Sequence, residues 1–277
     1  MIDAVKHLLA AGAAQVETKN IGGKTFAIVP DGYNHRDLEQ YMPVPVRKRG
    51  AIITSDSDSF ISYLLKHKED DKSVVYAAID SEKSYCSLVA VIDDHAEFSA
   101  QWRGHTCTFT PRMAVEWGRW IGLDRKKMSQ SDFATWLEDN LPDIATVPNM
   151  PTGAEILAMA LGFEANSDKK LRSKINLQSG GFSFEYVDKE NDATRTTMQV
   201  FDRFTIGIPV FDGSGNAYPV EARLKYRPQD GGSVTFWYEL IRPDLVFKTA
   251  VADEVEAIKT RTGLMLLYGT PGLRERD

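Results

Sequence analysis

Between residues 182 and 240 apolar and polar positions alternate, regularly enough to say which side of each strand is buried. Phe182, Phe184 and Tyr186 alternate with Ser183 and Glu185, and Phe204, Ile206, Ile208 and Val210 alternate with Thr205, Gly207 and Pro209. Tyr218, Val220, Ala222, Leu224 and Tyr226 share one parity against Pro219, Glu221, Arg223 and Lys225. In the next segment Val234, Phe236, Tyr238 and Leu240 point one way and Ser233, Thr235, Trp237 and Glu239 the other. Glycine-rich linkers at 212–216 and 228–232 make these segments an antiparallel meander with one buried face. A helix over 248–262, with Val251, Val255 and Ile258 on one side and Gly263 as its stop, closes the meander, and 264–267 reads as a last buried strand or cover.

The pattern upstream is mixed. Ile2, Val5, Leu8 and Leu9 have helical spacing closed by Gly12, and strands at 16–18 and 25–29 flank a hairpin turn at Gly22 and Gly23. After an irregular connection, 52–54 reads as a strand, and Ser55 with Asp58 forms a capping box for a helix bearing Phe60, Ile61, Leu64 and Leu65. Strands at 74–79 and 88–92 are apolar on both faces, which predicts a sheet covered by helices. Thr110 and Pro111 open a helix with Met113, Trp117 and Trp120, and Ser129 with Asp132 caps one carrying Phe133, Trp136, Leu137 and Leu141 until Pro142 stops it. Pro142, Pro148 and Pro151 mark the best boundary, and Thr152 with Glu155 caps a further helix ending near Gly162. These elements predict an α+β fold: a mixed α/β region over 1–145, then an antiparallel sheet with helices over 146–277, or one continuous domain containing both.

Composition narrows the function classes. The chain has 277 residues, 33 basic against 39 acidic, and a net charge of -6. It is not a basic module, so any nucleic-acid role must come from a local patch. Cys86 and Cys107 are too few for a disulfide framework and lack zinc spacing, which predicts a reducing, cytoplasmic setting. The first fifteen residues make neither a signal peptide nor a spanning helix, so no membrane association is expected. No phosphate loop, dinucleotide fingerprint, nucleophile elbow, zincin or deaminase motif is present, and we expect no cofactor, no bound metal and no enzymatic activity.

Three features remain as candidate chemistry. Asp93, Asp94 and His95 follow an apolar strand, with His105 beyond Trp102; carboxylate plus imidazole is acid-base or metal-ligand chemistry, and the competing reading is a turn with a satisfied histidine. Cys107 beside His105 has the makings of a nucleophile or of a small core residue. The second feature is a surface: Trp237 lies on the polar parity of its strand, and Arg223, Lys225 and Arg227 occupy the neighbouring one. Pairing 224 with 236 places Arg223 opposite Trp237 but sets Glu221 against Glu239; a shift of two places Arg223 opposite Glu239 and Lys225 opposite Trp237, so a cation meets the indole in either register. An aromatic platform beside cations holds single-stranded nucleic acid, and it equally serves as a covered interface. The third is the run Lys169, Lys170, Arg172 and Lys174, a second basic cluster.

Along 51–271 the segments SDSDSFISYL, VAVIDDH, QWRGH, EWGRW, MSQSDFATWLEDNLPDI, FTIGIPVF, YPVEARLKYR, FWYELIRPD and YGTP occur in that order. Their succession resembles the YfdQ-like proteins encoded by phages and prophages. That resemblance implies an early-region accessory of the bacterial host cell, near recombination or single-strand DNA functions, and carries over no active site. The expectation is an oligomeric, non-enzymatic protein that binds single-stranded DNA in recombination or replication; the alternatives are an inhibitor of host defence that captures a host protein or nucleotide, and a metal-assisted hydrolase centred on Asp94, His95 and His105. Outward Trp237, the cluster Trp117, Trp120 and Trp136, and the extended segment 41–47 are the grounds for expecting an oligomer.

Overall fold

The computed structural model describes residues 17–21, 24–28, 42–69, 71–164, 170–175, 182–187, 196–229 and 233–273, the strands among 17–28 and 170–199 by their backbone path only. The chain divides into two units, Met1–Lys48 and Arg49–Asp277. In the first, β1 (Glu17–Ile21) and β2 (Lys24–Ile28) form the expected antiparallel hairpin, with Glu17 paired to Ile28 and Ile21 to Lys24. The helix expected over 2–12 lies outside the described residues. Residues 42–47 run mostly as bends, an irregular connection as expected, with Met42, Val44 and Val46 exposed.

The second unit is built on two larger sheets. One is five-stranded, in the order β14 (Met265–Tyr268), β4 (Val74–Asp80), β5 (Tyr85–Val91), β6 (His105–Phe109), β3 (Gly50–Thr54). Its centre is antiparallel and its two edge strands pair in parallel. Helix α1 (Ser57–His67) buries Phe60, Ile61 and Leu64 against it, the Phe60 ring lying 5.6 Å from Phe109. The opposite face carries the row Ile53, Thr108, Val89, Tyr76 and Leu267, in which Ile53 is 80% exposed and Leu267 42%. Apolar residues on both parities thus do not require a helix on both faces.

The other sheet is antiparallel, in the order β11 (Arg203–Ile208), β12 (Tyr218–Pro228), β13 (Val234–Leu240), β7 (Met128–Ser129). The two-residue strand β7 is too short to show a period, and it completes the edge by pairing Ser129 with Thr235. The β12–β13 register is the one that sets Arg223 against Glu239 and Lys225 against Trp237. Alternation is realised on β12 and β13, where Val220, Ala222 and Leu224 are buried with Val234, Phe236, Tyr238 and Leu240; on β11 Thr205, on the polar parity, is buried as well as Phe204 and Ile206. The strand at 182–187, however, leaves this meander. As β9 (Phe182–Val187) it pairs with β8 (Lys170–Ile175) and β10 (Thr196–Val200) in a separate three-stranded sheet. Parity says which face is buried and is silent about which sheet a strand joins.

Helices α2 (Val115–Leu123) and α3 (Gln130–Asp139) press the tryptophans into the inner face of the four-stranded sheet. Trp120 is fully buried, 4.3 Å edge-on from Trp136 and 5.1 Å from Tyr238, whose hydroxyl donates to the Trp120 carbonyl at 2.6 Å. Phe133 stacks on Phe236 at 5.1 Å. Trp117 and Trp120 are therefore core residues, and Trp136 alone of the cluster stays partly exposed.

Three helix starts differ from expectation. At α1 the cap is Asp56, whose carboxylate accepts from Ser59 N at 2.7 Å, one residue after Ser55; the run of alternating serines and aspartates contains overlapping boxes, and the one used holds the stronger acceptor. Thr110 does not open a helix because its N–H donates to the Thr54 carbonyl, extending the β3–β6 edge, and α2 begins at Val115 instead. Helix α5 (Pro243–Thr262) begins before residue 248, since Pro243 occupies its first turn behind a left-handed Arg242 (φ 51) and Phe247 is already buried. The caps Ser129 on α3, Thr152 with Glu155 on α4 (Gly153–Glu164) and Gly263 at φ 68 after α5 are as expected.

Helix α5 ties the two sheets together. It packs on β12, and near its C-terminus the Thr262 carbonyl accepts from Lys68 Nζ while Arg261 pairs with Asp58 of α1. The chain then returns to the five-stranded sheet as β14, which is an exposed edge rather than a buried cover. One hydrophobic cluster runs from Phe60 through Trp120 and Tyr238 to Leu264. The fold is α+β, and no helix among the described residues is long and apolar enough to cross a membrane.

Candidate nucleic-acid interface

The outward face of the four-stranded sheet follows from its inward one. With Ala222, Leu224, Phe236 and Tyr238 buried, strand alternation turns Arg223, Lys225 and Arg227 of β12 outward beside Trp237 of β13. All three cations are exposed, and among the described residues none has an ion-pair partner. Their strand positions span about 14 Å. Trp237 is half-buried, and its indole donates to Glu239 Oε1 at 3.3 Å.

The cation over the indole is not the one expected. Lys225 is the strand partner of Trp237, but the ammonium that covers the ring is that of Lys127, 5.7 Å from its centroid. Lys127 belongs to the turn between α2 and β7, which Arg125 N donating to the Tyr238 carbonyl and Leu240 N donating to Asp124 hold against β13. Arg125 adopts φ 60, an uncommon conformation for a residue with a side chain. The turn presents Arg125, Lys126 and Lys127, three cations that sequence reasoning missed because nothing in the local pattern shows that 125–127 sit beside residue 237. On β11, Arg203 is paired directly with Arg223 and leans on Glu221 at 3.7 Å. Among the described residues these seven cations face Asp124, Asp202, Glu221 and Glu239, a local excess of three in a chain whose net charge is -6.

Of the second basic cluster, Lys169 lies outside the described residues. Lys170, Arg172 and Lys174 fall on β8, at positions paired with Val187, Glu185 and Ser183.

The polar group at 93–105 is drawn together as a structural latch. Asp93 accepts from Gly104 N at 2.9 Å and from His105 N at 2.8 Å, closing the loop between β5 and β6. Asp94 is buried and accepts from the Tyr76 hydroxyl at 2.6 Å and His95 N at 2.8 Å, and it pairs with Arg103 Nε at 2.8 Å. Burial, then the bond to Asp94, raises the Tyr76 hydroxyl pKa, so it stays a donor. His95 is exposed, and its Nδ1 accepts from Gln101 N at 2.9 Å; His105 is buried, its Nε2 2.7 Å from the Tyr63 hydroxyl. Asp94, His95 and His105 thus serve three different partners, and among the described residues no group of histidines, cysteines and carboxylates converges to hold a metal. Burial pushes the Cys107 thiol up to about 11 and Cys86 up to about 12, the reverse of what a nucleophile needs.

A family model matches residues 2–271. The chain belongs to the family described as uncharacterized conserved protein (DUF2303). No curated protein matches it. Both the 93–105 latch and the outward face of β12 and β13 lie within the DUF2303 span.

Proposed function

We propose that the protein is a non-enzymatic binder of single-stranded nucleic acid, with the outward face of β11, β12 and β13 and the 125–127 turn as its contact surface. The observation that carries this reading is the row Arg223, Lys225 and Arg227, three exposed cations without an ion-pair partner among the described residues, beside Trp237. Cations on alternate positions follow a phosphate backbone, and an indole among them offers a base a stacking face that is indifferent to sequence. The similarity to YfdQ-like proteins of phages and prophages provides the setting: an oligomeric accessory in the cytoplasm of an infected bacterium, acting in recombination or replication.

The test is fluorescence anisotropy of a labelled single-stranded oligonucleotide titrated with the full chain. Trp237→Ala is expected to weaken binding about tenfold, the cost of one lost base stack. Equal affinities for the wild-type chain and this variant, or no binding at low salt, would remove the surface from consideration.

A second reading, capture of a host protein, is favoured by the apolar row on the outer face of the five-stranded sheet, where Ile53 and Leu267 are exposed. Recovery of one stoichiometric host protein from lysate, lost in Ile53→Asp, would support it over nucleic acid.

A further inference from the structure

Arg203 and Arg223 occupy directly paired positions on the same outward face of β11 and β12. Two like charges at opposed positions of an antiparallel pair repel, and nothing in the inner packing of Phe204 and Ala222 asks for arginine at either position. Beside the pair, where β11 begins, a cavity of about 390 Å³ opens, walled by Asp202, Arg203, Arg223, Leu224, Lys225 and Tyr226. Its volume falls in the lower part of the range of small-molecule sites. Among the described residues three cations and one carboxylate on the wall leave a charge of about +2, which suits the charge of -1.5 to -2 on a phosphate monoester better than the single charge of a diester. The guanidinium forks suit phosphate oxygens bidentately.

We propose that this cavity takes a phosphate monoester, with Arg203 and Arg223 clamping its oxygens and Lys225 completing the charge. The ligand's source is the terminal phosphate of a nucleic-acid strand lying on the β12 face, or a free nucleotide presenting the same group. The strand-end source rests on the reading of that face as the nucleic-acid surface; the phosphate chemistry does not. Glu221, 3.7 Å from Arg203 and off the cavity wall, is the carboxylate the phosphate displaces from it.

The experiment compares one oligonucleotide bearing a 5′-phosphate, a 3′-phosphate or hydroxyls at both ends, with a nucleoside monophosphate titrated as competitor and, by itself, in a calorimeter. At least one phosphorylated end is expected to bind about tenfold tighter than the hydroxyl form, the gain from charge-assisted hydrogen bonds. Arg203→Gln is expected to erase that gain and Arg203→Lys to restore only part of it, while Arg227→Gln weakens all forms by one factor and preserves it. Thermal melts establish that each variant is folded. Glu221→Gln is expected to enlarge the gain.

Competition by the nucleoside monophosphate that depends on Arg203, with no effect of strand phosphorylation, would assign the cavity to free nucleotides and uphold the phosphate site. Should all three oligonucleotides bind alike and the mononucleotide not bind, the cavity proposal is overturned while the surface reading stands. If no oligonucleotide binds but the mononucleotide does, the surface reading fails and the cavity survives.

Discussion

Asp94 and Cys107 looked chemical in the sequence; in the structure Asp94 is bonded to Tyr76, His95 N and Arg103, and Cys107 is a buried thiol. The ion pair of Asp94 with Arg103 is buried on the carboxylate side, so Asp94→Asn leaves a guanidinium without its counter-charge and is expected to cost about 3 kcal/mol. Urea denaturation checks this: the midpoint should fall with an unchanged slope. A role in turnover rather than stability would leave the midpoint in place. For the cysteines, thiols held at about 11 and about 12 by burial are expected to resist a disulfide reagent at pH 8 in the native protein and to react at once after unfolding. Rapid native labelling of Cys107 would revive the nucleophile. At the outward face of β12 and β13, the residue types were legible from parity, because a strand's period of two assigns Trp237, Arg223 and Lys225 to one side wherever the sheet lies. The partner of the indole was not legible, since Lys127 reaches it from a turn more than a hundred residues away.

At the scale of elements, local chemistry predicted what is decided locally. Ser129 caps α3 by accepting from Asp132 N, Thr152 with Glu155 caps α4, and Gly263 ends α5 in the left-handed conformation that favours glycine. Misplaced helix starts have different causes: at α1 a neighbouring carboxylate, Asp56, takes the cap, at α5 Pro243 opens the helix a turn early, and Thr110 looks like a cap until its N–H is seen to serve the Thr54 carbonyl. The cap on α1 supplies a pH test. Hydrogen bonds from Ser59 hold the Asp56 carboxyl below its ordinary value, so its contribution is complete above the unfolded pKa of about 4 and is lost as the pH falls through the lower folded value. Asp56→Ala is expected to cost about 1 kcal/mol at neutral pH. The gap between wild type and variant in thermal melts should close on acidification below about pH 4; a constant gap would mean that Asp56 acts by packing.

Across the whole molecule, α5 and β14 link the two main sheets of residues 49–277 through one hydrophobic cluster, which predicts a single unfolding transition. Removing 264–277 takes away an edge strand that four residue pairs hold to β4, so the truncated chain is expected to melt at lower temperature in a transition that still includes the four-stranded sheet. Two separated transitions, followed by near-ultraviolet dichroism of the Trp120 cluster, would show that the sheets unfold independently. Binding has a molecular signature as well: an acidic chain can hold a strand only through its local excess, and about four phosphate contacts predict a slope of log affinity against log salt near -3. A slope near zero would exclude phosphate contacts at this face.

By itself the sequence determined the α+β class, the buried parity of β11, β12 and β13, most helix caps and the β1–β2 hairpin, because each depends on residues within a few positions of one another. Tertiary structure alone decided that β9 leaves the meander, that β14 returns to the first sheet, that Trp117 and Trp120 form core and that 125–127 joins the β12 face. Those outcomes depend on which distant segments share hydrogen bonds and buried area, and no period or cap along the chain records that choice.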